Sequence, residues 1–334
     1  MTPGTWAVIT AALALLATVY AVFQLADRAV LLPGASLGDS QVLDLGKSGT
    51  FRRAFVDPAG KTVVLEEQPS AIVSVILGGD EMLARLVDPE RVSSVTYLAD
   101  DPGISNVSGI YPPSIRRNYG DVEEVIAAQP DLVLLAAYTN AVTASMLLDA
   151  GIALLRFTRF DSHDDIRSNV RTLALAVGEE GRGEAWLAEM DERIDAVRNR
   201  VAGRERPRVL FYGMSGSTAG PGSLMHETIT LAGGKNVIAE TGLGSLPRIS
   251  PELAVSLQPE IVLLNGWSGA DGASASDILL KNPAWEGVPA VRSGRVYSIE
   301  GAWLTSISPH RVRGVEEVAR LLHPGAFPAS VVKR

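Results

Sequence analysis

The sequence predicts an α/β protein. Two doubly wound α/β lobes are bridged by a single long α-helix, with a membrane-spanning or signal helix at the N-terminus. Three observations carry that expectation. From Phe51 onward short apolar runs alternate with helical patterns, as in parallel strands connected by helices. Midway, Trp186, Met190, Ile194, Val197 and Val201 form one apolar stripe at helical spacing. The phrase Gln129-Pro130-Asp131-Leu132-Val133-Leu134-Leu135 returns as Gln258-Pro259-Glu260-Ile261-Val262-Leu263-Leu264, once in each half, with Glu123 and Glu252 at the same distance ahead.

The elements follow in chain order. Trp6–Ala26 carries no charge, and about 20 apolar residues suffice to cross a bilayer. Residues 1–26 therefore read as a transmembrane anchor or signal. No Lys or Arg precedes the run and no Ala-x-Ala-like site follows it, which favours an uncleaved anchor. Residues 27–54, rich in Gly, Ser and Asp, read as a linker.

The first lobe spans 55–180. Its expected strands are Ser70–Ile76, Val92–Tyr97, Leu132–Ala136 and Ala153–Phe160. Gly78-Gly79 reads as a turn and Asp80 as the cap of the following helix. Asp121 can cap a helix through Ala128, and Thr143–Ala150 is helical. The bridging helix takes 181–204. The second lobe, 205–334, is expected to hold strands Val209–Tyr212, Ile261–Asn265 and Arg295–Ile299. Its helices are Glu227–Ala232, Glu252–Leu257 and Val312–Leu322.

Composition narrows the function. A chain of 334 residues suits two domains. The net charge of −8 argues against nucleic acid as a partner. With no cysteine there are no disulfides, thiolate metal sites or cysteine nucleophiles. His163, His226, His310 and His323 show no ligand-pair spacing and no His-Glu-x-x-His, so no metal site is expected. The Gly/Ser loop at 213–223 lacks the Gly-Lys-Ser/Thr of a P-loop and the second glycine of a nucleophile elbow around Ser215. A serine-hydrolase reading would need Ser215 with an ordered Asp and His.

Seven phrases in order, from DPAGKTVVLEEQPSAIVSVI (57–76) through VEEVIAAQPDLVLLA, LLDAGIALLRF, LAGGKNVIAETG, ISPELAVSLQPEIVLL and PAWEGVPAVRSGRVYSI to LLHPGAF (321–327), resemble the class III substrate-binding proteins of ABC importers. Members of that family bind ferric siderophores, haem or vitamin B12 between two lobes. The resemblance covers roughly 55–327. It implies a monomeric, extracytoplasmic binding protein with no enzymatic activity, which presents its ligand to a permease dimer and its ATPase. It also implies that Glu123 and Glu252, one per lobe, dock on the permease. As ligand contacts it implies Arg117, with Arg116 beside it, and Tyr138. An arginine fork and a phenol suit the oxygen-rich rim of a ferric siderophore.

Strand-end logic adds Tyr97, Arg159 and Phe160 in the first lobe and Tyr212, Ser215, Trp267 and Trp303 in the second. A ferric siderophore is the expected ligand and no resident cofactor is needed. Vitamin B12, haem or an oxyanion remain open, as does a membrane-tethered sensor.

Overall fold

The computed structural model describes residues 42–46, 50–213, 216–265 and 275–327. The Trp6–Ala26 run, Ser215 and Trp267 lie outside them. Among the described residues no helix is long and apolar enough to cross a membrane.

A small antiparallel sheet opens the described chain: β1 (Val42–Asp44), β2 (Arg53–Val56) and β3 (Thr62–Leu65), in that spatial order. The stretch expected to be linker therefore contains a paired strand. Val42 and Phe55 bury themselves in the first core. The guanidinium of Arg53, 8% exposed, pairs with Asp44, reaches Glu180 at 2.7 Å and donates to Leu175 O at 3.0 Å. Those contacts fasten the segment to the body of the protein.

Two parallel sheets follow. The first comprises β4 (Ile72–Ser74), β5 (Val92–Thr96), β6 (Arg116–Asn118), β7 (Leu132–Ala136) and β8 (Leu154–Phe157), ordered β6-β5-β4-β7-β8. The second comprises β9 (Arg208–Phe211), β10 (Lys235–Asn236), β11 (Ile261–Asn265) and β12 (Val296–Ile299), ordered β10-β9-β11-β12. In both the chain first moves outward to one side, then crosses back and continues on the other. Each sheet thus has a switch point, between β4 and β7 and between β9 and β11. Strand β7 is buried along its whole length, as a central parallel strand covered on both faces must be.

The repeated phrase is the helix–turn–strand unit that enters each switch point. Helices Val122–Ala127 and Pro251–Ser256 precede β7 and β11. Between helix and strand Gln129 and Gln258 both take the left-handed conformation, with φ 48 and 46. The acid two residues on clamps the neighbouring strand. Asp131 donates its N–H to Ala71 O and accepts from Ser70 N and Ala71 N at 2.7 and 3.0 Å. Glu260 donates to Arg208 O and accepts from Arg208 N at 2.7 Å. The same local chemistry thereby sets the register of β7 on β4 and of β11 on β9.

Helix Glu180–Val201 lies between the two sheets in sequence and packs on helices His163–Val177 and Val312–Leu322. Its Trp186, Leu187, Met190 and Ile194 belong to the core around the first sheet, and Val197 to a core around the second.

One helix start differs from expectation. Gly78 and Gly79 lie inside helix Leu77–Leu86, and Asp80 is a buried first-turn residue with no capping role. A Cβ on Gly78 would come within 2.3 Å of Ile307 Cγ1, and one on Gly79 within 2.5 Å of Ser74 Oγ. The glycines serve close packing here.

Candidate functional site

The carboxyl ends of the first sheet carry four aromatic rings in two pairs. Tyr97 follows β5 and Tyr119 follows β6. Their rings stack at 4.6 Å with planes 21° apart. Tyr138 and Phe160, beyond β7 and β8, meet at 5.9 Å. The strand order puts one pair on each side of the switch point, where open α/β sheets bind ligands. Tyr97, Tyr119 and Tyr138 are 47%, 68% and 67% exposed, unusual for rings this size. Even so, desolvation first, and the charge of Asp80 second, raises the Tyr138 phenol above its ordinary pKa. Tyr119 was not among the expected contacts; the strand Arg116–Asn118, whose end it occupies, is too short to show a pattern.

The arginines are placed differently. Side chains alternate along β6, so Asn118 points inward, donating to Ser74 O, Ser94 Oγ and Val95 O at 2.9–3.0 Å, while Arg117 takes the opposite face. There the Arg117 fork closes on Asp100 at 2.7 and 2.9 Å and donates to Tyr111 O at 3.2 Å and to Ile115 O. Arg117 also holds the Asp100 carboxyl below its usual pKa. Arg116 is exposed and reaches Ala127 O at 3.4 Å. Arg159 pairs with Asp165 at 2.9 Å. In the second sheet Tyr212 packs on buried Trp285 at 5.1 Å, and Trp303 leans on the core around β9 and β11. Among the described residues no group of three or more acidic or histidine side chains could hold a metal ion.

Segments beyond the carboxyl ends of one sheet touch those of the other. Ala302 N donates to Gly103 O at 3.1 Å, and Asn106 Nδ2 to Ala302 O at 2.7 Å. A Cβ on Gly301 would lie 2.8 Å from Gly103 O. The fully buried Glu81 carboxyl accepts from Asn106 on one side and from Ser306 and Ser308 on the other. Buried His163 donates its backbone N–H to Glu227 Oε2 and meets the same oxygen through Nδ1, each at 2.7 Å.

Glu123 and Glu252 are exposed first-turn residues of the two repeated helices. A helix between parallel strands runs antiparallel to them, so both acids lie at the carboxyl-end side of their sheets. The Ser250 hydroxyl, followed by the backbone, keeps the Glu252 carboxyl below its ordinary pKa.

A family model described as periplasmic binding protein matches residues 72–302. A cobalamin-binding protein of Halobacterium salinarum is 26% identical, over 85% of this chain and 78% of its own. An uncharacterized ABC transporter substrate-binding lipoprotein of Bacillus subtilis, YvrC, is 25% identical over 84% and 88%. Among solved structures, the periplasmic heme-binding protein RhuT of Roseiflexus superposes with a TM-score of 0.65 at 25% identity, covering 77% of this chain and 99% of that one. These are binding proteins, not enzymes, and the hydrolase reading of Ser215 falls away.

Proposed function

The chain belongs to the periplasmic binding protein family, and from that premise we propose that it is the substrate-binding component of an ABC importer. It stands outside the membrane, held by its N-terminal apolar run, and takes a corrinoid-type metal chelate between two lobes that the helix Glu180–Val201 bridges. It passes this cargo to a permease that Glu123 and Glu252 engage.

The observation that carries the ligand class is the two aromatic couples flanking the first switch point, three of their four rings exposed, beside an arginine that is already committed. A ferric siderophore offers anionic oxygens and asks for free cations. Arg117 gives its fork to Asp100. Stacked tyrosines instead suit a broad, ring-built chelate with little net charge. Cobalamin has that chemistry, whereas haem adds two carboxylates. The cobalamin-binding relatives support the same choice.

Calorimetric titration with cobalamin, haemin and a ferric hydroxamate decides between them. Cobalamin is expected to bind one-to-one with a Kd below about 1 μM. Tyr97→Ala and Tyr119→Ala should each weaken it about tenfold. Saturable binding of the ferric hydroxamate with none of cobalamin would overturn the corrinoid reading.

A further inference from the structure

A cavity of about 90 Å³ lies where helix Glu180–Val201 meets helix Leu77–Leu86 and the segment from Pro309 to Arg313. Three guanidiniums line it, Arg85, Arg193 and Arg313, together with the Glu189 carboxylate and the His310 and Trp186 rings. Arg85 pairs with Glu189 through one nitrogen at 2.6 Å, and Arg193 with Glu316 at 2.7 and 2.9 Å. The Arg313 side chain forms no hydrogen bond or ion pair among the described residues. Three cations thus face two carboxylates, leaving a positive spot on a chain whose net charge is −8.

The His310 ring stands edge-on to Trp186 at 5.3 Å and has no hydrogen bond among the described residues. Burial, followed by the charges of Arg313, Arg85 and Arg193, pushes its pKa down to about 4. All three guanidiniums therefore act on one neutral ring, which still has an N–H to donate.

We propose that this cavity binds a compact multivalent oxyanion of the phosphate or sulfate type, held by Arg313 with the uncommitted N–H groups of Arg85, Arg193 and His310. The cavity has room for more than one water and is partly open to solvent, which leaves space for a four-oxygen anion. Such an anion would relieve the repulsion among the guanidiniums. It would also tie together three elements from both halves of the molecule, independently of any ligand at the aromatic wall.

Titration of the full chain with inorganic phosphate and with sulfate, in chloride buffers of matched ionic strength, tests the site by calorimetry and thermal unfolding. Saturable heat and a saturable rise in Tm at millimolar anion are expected. Arg313→Ala should weaken binding about tenfold or more. Arg313→Lys should retain part of it. Arg313 is exposed and unpaired, so its removal leaves the fold intact, which the far-UV circular dichroism spectrum checks. An unchanged response in Arg313→Ala would overturn the proposal. So would a rise in Tm that never saturates, the mark of salts excluded from the protein surface.

Discussion

Replacing Glu81 by Ala removes the acceptor on which both halves of the molecule converge. Four donors end on its buried carboxyl: Asn106 N and Nδ2 at 3.0 and 2.8 Å, Ser306 Oγ at 2.6 Å and Ser308 Oγ at 2.7 Å. Hydrogen bonds to charged groups contribute about 1.5–3 kcal/mol each, but these four do not add. Asn106 Nδ2 keeps Ala302 O, and the two serine hydroxyls keep one another at 3.0 Å. What remains is Asn106 N and one hydroxyl stranded without a partner, beside a new cavity, and we expect a loss of about 3–5 kcal/mol. Glu81→Gln retains an acceptor for Asn106 and offers the serines an amide donor, so its loss should be about 1–2 kcal/mol. Urea unfolding measures both: the midpoint should fall in that order with an unchanged m-value. A Glu81→Ala variant within about 1 kcal/mol of wild type, or a Gln variant as damaging as Ala, would refute the reasoning.

Two further outcomes follow from the charges. His310 has a folded pKa of about 4 against an ordinary 6.5, so the unfolded chain binds more protons between those values and stability falls as pH drops through that window. Between pH 7 and pH 5 wild type should lose about 2 kcal/mol more than His310→Gln; equal losses in urea titrations would show that His310 is not buried neutral. Replacing both Glu123 and Glu252 by Ala should cut ligand uptake in cells at least about tenfold while leaving cobalamin affinity unchanged; weakened cobalamin binding by the purified double variant would sink the docking role.

Much of this fold was legible because parallel strands buried on both faces read as apolar runs. Leu132–Ala136, Ile261–Asn265 and helix Val312–Leu322 have the bounds that periodicity assigns them. Helix His163–Val177 was not read, although it carries two local signals. Ser162 and Asp165 form a capping box, and Gly178 ends the helix at φ 72. Strands β6 and β10 escaped because three and two residues cannot display a period. The site was legible only by position. Strand-end logic places Tyr97 and Phe160, and the family resemblance Tyr138, beyond the carboxyl ends of the strands, but no sequence pattern says that Asp100 will claim the Arg117 fork. That pairing depends on how the segment between β5 and β6 folds back, a tertiary outcome.

The same buried polar groups that close the fold also stiffen the aromatic wall. Thr96, the residue before Tyr97, is held by Asp80, whose carboxyl accepts from Thr96 Oγ1 at 2.5 Å. Burial raises the pKa of that carboxyl well above its ordinary value, and the bonds from Thr96 pull against that rise. Asn118, the residue before Tyr119, is fixed by three bonds to the ends of β4 and β5. The Tyr111 hydroxyl donates to Asp80 O at 2.5 Å, and Arg117 accounts for Tyr111 O and Asp100. Every turn leading into the Tyr97–Tyr119 stack is therefore tied to buried backbone, while the rings themselves stay exposed. A ligand that settles on such a wall forfeits little side-chain or loop entropy, and the contact area goes into affinity. In the function proposed above, Arg117 anchors the segment 97–115 through Asp100 and Tyr111 O and so sets the distance between the Tyr97 and Tyr119 rings.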